Sequence, residues 1–251
     1  MKFNNTLITS AILSSLLIST GASAIDETES LRQRSQDKHH FTSLSIDLSG
    51  KSGNSDKEDF SFGIYHSERR GQHFGFVMAS RDYAKSNDVK SEDSSFLHAR
   101  YNYYFSETEA FEVFAQSNTD DFKSLESRNL VGVAYRKEFS EKTTAGLGVF
   151  QEQEEYNVNG QQIEFDQTRL SLYWVTTLPL ANGAELSNTL YFQPDVTKFS
   201  DFRAYNRLAI KSKLTESLSL KFGLLVEHDS QPVLDVEKTD IKYQAGFSYE
   251  F

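Results

Sequence analysis

The eleven residues from Ile241 to Phe251, Ile-Lys-Tyr-Gln-Ala-Gly-Phe-Ser-Tyr-Glu-Phe, alternate between two kinds of side chain. The odd-numbered positions are apolar or aromatic, and the even-numbered positions are polar or small. Because successive side chains of a β-strand point to opposite faces, the pattern predicts one strand with an apolar face and a polar face. A strand of about ten residues with these faces fits a transmembrane β-barrel, which meets lipid outside and a polar lumen inside. The alternative is a half-buried strand of a soluble β-sandwich.

The end of this strand resembles the C-terminal signal of bacterial outer-membrane barrels. The residues that carry the resemblance are the terminal Phe251 and the aromatic side chains Tyr249 and Tyr243, two and eight positions before it. The resemblance implies insertion into the outer membrane of a Gram-negative bacterium by the barrel assembly machinery.

The other end of the chain has the features of a secretory signal peptide. Lys2 supplies a positive charge, an apolar stretch runs from Leu7 to Ile18, and residues 21–24 are Gly-Ala-Ser-Ala. The apolar run is shorter than the ~20 residues that a transmembrane helix needs, so we expect residues 1–24 to be cleaved off. Residues 25–40 are polar and have no period, which predicts a free periplasmic tail. Residues 41–251 remain for the barrel.

The composition narrows the chemistry. The chain has no cysteine, which excludes disulfides and zinc–thiolate sites. Its 20 Phe and 12 Tyr accompany a low mean hydropathy of −0.52, and a barrel reconciles the two because only half of each strand faces lipid. A net charge of −10 argues against a nucleic-acid partner. We expect no metal and no cofactor.

Twelve alternating segments follow one another along the chain. They lie near residues 41–50, 59–68, 72–82, 95–105, 109–118, 127–139, 143–153, 167–177, 184–194, 201–214, 217–228 and 239–251. Since no segment has a sustained period of 3.6 residues, we expect essentially no helix after the signal peptide. We predict an all-β chain, a transmembrane antiparallel up-and-down β-barrel of about twelve strands, within a range of ten to fourteen.

The predicted connections alternate between long and short. Odd-numbered connections, such as 83–94 and 154–166, are long, and most even-numbered ones, such as 106–108 and 215–216, are short. Long outer loops and short periplasmic turns are typical of outer-membrane barrels, and the pattern places both termini in the periplasm. Acidic residues concentrate in the long connections, where they would attract the divalent cations that bridge lipopolysaccharide phosphates. The alternative is that they are ordinary charged residues of solvated loops.

Aromatic residues concentrate near the predicted short turns, as in the interfacial girdles of membrane barrels. Ordinary strand propensity is the competing explanation for any one of them. The set is Tyr101, Tyr103, Tyr104, Phe105, Tyr135, Phe139, Trp174, Tyr249 and Phe251.

Charged side chains recur on the polar faces of the predicted strands. Facing lipid would cost each of them roughly 2–4 kcal/mol at the midplane, so we expect them to face the lumen. The lumen-facing candidates are Arg100, Arg136, Arg169, Arg203, Arg207, Lys221, Glu112, Glu152 and Glu227. Arginine–glutamate pairs would seal a narrow barrel, whereas unpaired arginines would form a track for anions. The sequence leaves both alternatives open.

Familiar enzyme signatures are absent from the sequence. It contains no nucleophile elbow, no zinc-protease motif and no glycine-rich phosphate loop. A barrel lipase would need a Ser–His pair on adjacent strands, for instance with His66 or His98, and no spacing singles out such a pair. We therefore predict no catalytic residue and a chain that is not an enzyme.

Several short motifs point to a known family. They are Phe114 to Phe122 (Phe-Ala-Gln-Ser-Asn-Thr-Asp-Asp-Phe), Arg128 to Arg136 (Arg-Asn-Leu-Val-Gly-Val-Ala-Tyr-Arg), Phe192-Gln193-Pro194, Ser200-Asp201-Phe202-Arg203 and Asp229-Ser230-Gln231-Pro232. They resemble the YdiY-like family of salt-induced outer-membrane proteins, a domain of unknown function. The similarity covers most of residues 45–251. It implies a location and a fold but no chemistry, and a salt response enters only through the family's name.

Three functional hypotheses follow. The first is a narrow channel or envelope-stress barrel that passes ions or small solutes. The second is a non-conducting structural barrel, or one that interacts with lipopolysaccharide. The third is a barrel enzyme acting on lipids. In each case we expect a monomer that contacts the lipids of the outer membrane.

Overall fold

The computed structural model describes residues 28–29, 31–32, 35–53, 56–215, 218–233 and 236–249, with the side chains of residues 47, 221, 244 and 246–249 left aside. The described residues form twelve strands: β1 His40–Lys51, β2 Lys57–Arg70, β3 His73–Ser86, β4 Val89–Tyr104, β5 Glu109–Asp120, β6 Leu125–Ser140, β7 Thr143–Val158, β8 Gln161–Pro179, β9 Ala184–Pro194, β10 Phe202–Lys213, β11 Leu218–Asp229 and β12 Thr239–Tyr249. Short 3₁₀ turns cover Asp121–Lys123 and Ala181–Gly183. The predicted signal peptide and Phe251 lie outside the described residues.

The strands pair in chain order, and each is antiparallel to the next. This confirms the predicted all-β up-and-down arrangement and the count of twelve. Among the described residues no pairing joins β1 to β12, so the sheet has a seam between its first and last strands. The short turns, the start of β1 and the end of β12 lie at one end of the barrel, which we call the turn end. The opposite end is the loop end.

The two faces of the sheet reverse the burial of a soluble protein. On the outer face Leu44, Val131 and Leu147 are 54–60% exposed, whereas Arg136 and Glu152 on the inner face are at most 1% exposed. Apolar side chains outside and charged side chains inside are what a transmembrane barrel requires, because lipid is its outer solvent.

Contacts between strands that are not neighbours show that the sheet curls around this polar interior. Tyr173 on β8 donates to Glu112 on β5 at 2.9 Å. Lys123, in the turn after β5, lies 3.0 Å from Asp240 on β12. Since neither pair could meet across a flat sheet, the twelve strands form a barrel wall.

Two of the expected long loops, those after β3 and β7, are instead tight hairpin turns. Asn87 and Asp88 have φ angles of 50° and 61°, and Asn159 and Gly160 have φ angles of 55° and 81°. Two successive left-handed residues match the right-handed twist of the flanking strands, so pairing continues up to the turn. The strands on either side therefore extend beyond their predicted ends, and these two loop predictions were wrong.

Inward glycines on β6 and β7 make room for aromatic rings in the lumen. A Cβ on Gly146 would overlap the ring of Tyr173, and one on Gly132 would lie 2.5 Å from Cζ of Phe114. These small residues let the rings lie flat against the wall, which positions the Tyr173 hydroxyl in the interior.

Five described residues that precede β1 lie inside the barrel. Residues 28, 29, 31, 32 and 35 are helical, and each is at most 6% exposed. We call these residues the plug. Leu31 packs with Phe74 and Phe76 on β3. At these five positions, which belong to the predicted polar tail over residues 25–40, the charged plug residues find partners inside the lumen. The elements of the described chain are otherwise strands and two 3₁₀ turns, in line with the expectation of essentially no helix. No helix in the described part of the chain is long and apolar enough to cross a membrane.

Candidate functional site: the barrel lumen

Five charged residues meet where the plug touches the wall, and we call them the plug cluster. Arg100 on β4 donates to Glu29 at 2.8 Å, and Arg136 on β6 donates to the same carboxylate at 3.2 Å. Arg32 donates to Glu112 on β5 at 2.7 Å. Arg100 also lies 3.7 Å from Glu112. Both plug charges are therefore neutralised by the wall, which is the condition for burying them without a large penalty.

Neutral polar groups complete the hydrogen bonds of the two carboxylates. Glu112 accepts from Asn102 at 2.7 Å and from Tyr173 at 2.9 Å. Glu29 accepts from the Tyr191 hydroxyl at 3.4 Å. A buried carboxylate with its oxygens satisfied in this way holds its partners in fixed positions.

The plug also makes contacts with uncharged residues of the wall. Arg32 donates a second hydrogen bond to the Tyr104 hydroxyl at 3.0 Å. The Ser35 hydroxyl lies 2.8 Å from that of Tyr65, and the Thr28 hydroxyl contacts the Met78 sulfur at 3.8 Å. The plug thus touches β2, β3 and β4 in addition to its ion pairs.

An aromatic layer lies above the plug, toward the loop end. Phe114, Leu130 and Phe150 form one buried cluster. The imidazole of His98 stacks against Phe114 with ring centroids 6.4 Å apart, and its Nδ1 lies 3.3 Å from the Gln116 side-chain oxygen. This layer narrows the lumen between two charged regions.

A second charged group, the mouth cluster, lies toward the loop end around Glu152. Arg128 and Arg169 each donate to Glu152 at 2.7 Å, and Arg203 donates to both of its oxygens at 2.9 Å. Arg203 also reaches Glu154 at 2.8 Å, and Arg128 lies 3.3 Å from it. Three arginines therefore share two carboxylates, and the two aspartates described next supply further negative partners for Arg169 and Arg203.

Two sequence motifs supply those aspartates. Asp201, in the Ser-Asp-Phe-Arg motif, accepts from Arg169 at 2.9 Å. Asp229, which begins the Asp-Ser-Gln-Pro motif, accepts from Arg203 at 3.1 Å. The motifs thus hold the loops against the mouth cluster, which explains in physical terms why these residue types occur together.

A lysine links the two sides of the loop end. Lys123 lies 3.0 Å from Asp240 and 3.8 Å from Glu227. Burial by itself would lower the pKa of Lys123, but the carboxylates of Glu227 and Asp240 more than offset this, and the pKa lies above its ordinary value. The ammonium therefore stays charged and joins the wall near β6 to β11 and β12.

Two of the cavities lined by the described residues border the charged clusters. The larger, about 160 Å³, lies at the loop end above the mouth cluster, where Arg128, Glu154 and Arg203 line it together with Tyr156 and Tyr205. The smaller holds about 30 Å³, roughly the volume of one water molecule, and touches Thr28, His98 and Glu112.

The predicted lumen-facing residues differ in how deeply they are buried. It buries Arg100, Arg136, Arg169, Glu112 and Glu152, and it leaves Arg203, Arg207 and Glu227 partly exposed. Lys221 lies on β11, but its side chain is outside the described set. Of the proposed assembly signal, Tyr243 is 79% exposed on β12, Tyr249 ends the same strand, and Phe251 lies outside the described residues.

Sequence reasoning missed the two plug residues that matter most, Glu29 and Arg32. The one available signal was the spacing of Glu29, Arg32 and Ser35, which are three residues apart and therefore share one helix face. It also missed Arg128 and Glu154, although both lie on the inner face by strand phase.

The histidines named for a lipase do not meet serines in the contacts of the described residues. His66 lies 2.8 Å from the Thr42 hydroxyl, and His98 faces Gln116. Neither contact contains the serine nucleophile that the lipase hypothesis requires.

The chain is similar in shape to several solved membrane-barrel structures, at low sequence identity. A NanC porin matches with a TM-score of 0.48 and 10% identity, over 82% of this chain and 100% of its own. A KdgM porin matches with a TM-score of 0.41 and 12% identity, over 84% and 99%. The β domain of the Bordetella autotransporter BrkA gives 0.34 and 12%, over 84% and 97%.

No curated protein is significantly similar to the chain. A family model does match it, over residues 45–251, and its description is that of a protein of unknown function, DUF481. The match confirms the relationship suspected from the sequence motifs. Since the matched region covers β2 to β12 and most of β1, the chain belongs to this DUF481 family.

Proposed function

We propose that the chain is an outer-membrane barrel that forms a narrow channel, and that its own N-terminal plug holds this channel closed. The observation that carries the proposal is the burial of Glu29 and Arg32, each ion-paired to the barrel wall. An apolar filling would stabilise a permanent seal at least as well as buried charges do. Charged contacts suit a releasable plug instead, since both separated surfaces are readily hydrated.

The vacated lumen would be polar enough to hold water. Arg100, Glu112 and Arg136 would remain on its wall, together with the hydroxyls of Tyr173 and Tyr191. A lumen lined by charged and hydroxyl groups conducts ions, whereas an apolar constriction closes by dewetting. Solutes that pass would be small, because a twelve-stranded wall is narrower than that of the large porins.

Planar-bilayer recordings test this proposal. The mature chain should be silent at low voltage, and Arg32→Ala should open it, because the plug loses its tie to Glu112. The matched control is Arg70→Ala, which breaks an exposed ion pair with Glu68 and should leave the chain silent. Steady conductance of the unaltered chain, or silence of Arg32→Ala in a barrel shown to be folded, would overturn the closed-channel proposal.

A second candidate function, a non-conducting structural barrel, is favoured by the mouth cluster. Glu152 and its three arginine partners narrow the loop end without any help from the plug. If Arg32→Ala is silent, and adding Arg203→Ala or Arg207→Ala to it produces no current either, the structural barrel is the better account. Cation-selective current would instead mean that the acidic loop end controls entry.

The location and assembly of the barrel are part of the same proposal. Export by a cleaved signal peptide and insertion by the barrel assembly machinery are supported by the terminal sequence patterns and by the apolar outer face. Deleting Phe251 should reduce the amount of folded barrel in the outer membrane, as measured by its altered gel migration after boiling. Wild-type levels of the folded form would show that Phe251 is an ordinary strand residue. A monomer in contact with outer-membrane lipids and lipopolysaccharide is expected.

A further inference from the structure

The carboxylate of Glu29 occupies a site whose donors all belong to the barrel wall. Arg100 on β4 and Tyr191 on β9 reach its Oε1 at 2.8 and 3.4 Å, and Arg136 on β6 reaches its Oε2 at 3.2 Å. Since every hydrogen-bond donor to Glu29 among the described residues belongs to the wall, the site is a property of the barrel, and Glu29 is its occupant.

Neighbouring groups hold the donors in place without the plug. The Arg100 guanidinium lies over the rings of Phe76 and Phe114, at 5.8 and 5.5 Å from their centroids. Arg136 donates to the Tyr173 hydroxyl at 3.2 Å. The donors are therefore pre-organised, which lowers the entropy cost of binding an anion there.

The geometry fits a carboxylate better than a single-atom anion. Donors approach both oxygens of Glu29 from different strands, and guanidinium groups favour planar two-oxygen partners. A chloride ion would engage only part of this arrangement.

We propose that the wall groups Arg100, Arg136 and Tyr191 form a binding site for small organic carboxylates, which Glu29 fills as an internal ligand. The inference rests on the proposed function, because a solute reaches the site only when the plug leaves. A carboxylate in the lumen then competes with Glu29, and so an anionic solute favours the open barrel by mass action.

Chemical rescue of Glu29→Ala in the folded full-length barrel tests the site. The substitution removes a carboxymethyl group, and acetate carries the same carboxylate on a methyl group. The unfolding temperature of the variant should fall, and sodium acetate should restore it in a saturable manner. Acetamide, which is neutral, and sodium chloride at equal ionic strength should not. If Glu29→Ala does not fold, its refolding yield in acetate against acetamide supplies the same comparison.

Two further variants make the test specific. Glu29→Ala combined with Arg100→Met should lose the acetate response, because the strongest donor is gone. Glu68→Ala, which removes an exposed carboxylate, should show no acetate response at all. An acetate effect no larger than that of chloride, or one that persists without Arg100, would overturn the proposal. The rescue experiment measures an unfolding temperature and does not depend on ion conduction. Rescue by acetate in a barrel that does not conduct would therefore reject the channel function and leave the binding site. Conductance without rescue would reject the binding site and leave the channel function.

Discussion

Replacing Arg32 by alanine should release the plug, and the structure sets the size of the effect. Arg32 makes a 2.7 Å ion pair with Glu112 and a 3.0 Å hydrogen bond to Tyr104, all fully or almost fully buried. Without Arg32, the docked plug would still keep water from Glu112, whose nearest remaining cation among the described residues is Arg100 at 3.7 Å. In the released state the lumen admits water and this penalty disappears. Breaking a buried ion pair in this way costs about 3–5 kcal/mol.

This loss predicts how often the plug opens. At about 1.4 kcal/mol per tenfold change, the released fraction should rise roughly 10²- to 10⁴-fold. Because the chain has no cysteine, a single Thr28→Cys substitution provides a clean probe. Thr28 is 1% exposed in the plug, so a membrane-impermeant maleimide should label the cysteine only when the plug leaves. The labelling rate should therefore rise by the same factor in Arg32→Ala.

Two controls define the result. Ser52→Cys, at an exposed position between β1 and β2, gives the intrinsic labelling rate, and Arg70→Ala in the Thr28→Cys chain should leave labelling slow. A labelling rate in Arg32→Ala within threefold of the parent would show that Arg32 does not hold the plug in place. So would a parent chain in which Thr28→Cys already reacts as fast as Ser52→Cys, since the plug would then not be docked.

Three other predictions follow from single contacts. Gly146→Val should lower the yield of heat-resistant folded barrel, because the valine side chain would displace the ring of Tyr173. Overpacking of this kind costs about 1–3 kcal/mol or more. An unchanged yield of folded barrel in a refolding gel would contradict this prediction. Hydrogen bonds from Thr197, first of all that from its hydroxyl, hold the pKa of Asp195 below its ordinary value of about 3.9. The stabilisation of the loop by Asp195 is thus complete above the pKa of the unfolded chain and is lost as the pH falls through the lower pKa of the folded chain. Limited proteolysis between pH 5 and pH 2 should therefore cut this loop faster as the pH falls in the parent. The rate in Asp195→Asn should not change in this way. Trp174, the single tryptophan, is 44% exposed near the turn end. Its fluorescence should therefore be quenched more by lipids labelled near the headgroup than by lipids labelled at the end of the acyl chain. The reverse order would show that Trp174 does not belong to an interfacial girdle.

The strand pattern was open to sequence reasoning because it depends on neighbours in the chain. Alternation with period two identifies the two faces of each strand whatever lies opposite, so the count of twelve and the inner face of residues such as Arg136 could be inferred. The tight turns after β3 and β7 were missed, since their polar residues resemble those of a long loop. The left-handed backbone at Asn87 and Asn159, and the strand pairing that reaches both turns, show that the hairpins are tight.

Which side chains point into the barrel could be inferred from the sequence, because the pleat of each strand sets the face of every residue. The sequence could not determine which of them meet, since Glu112 and Tyr173 are brought together by the curl of the sheet over three strands. Nor could it place Glu29 and Arg32 inside, because a short polar segment has no reason to leave water until a wall supplies opposite charges for it. The filling of the lumen by Glu29 and Arg32 therefore becomes visible once the strands are assembled around them.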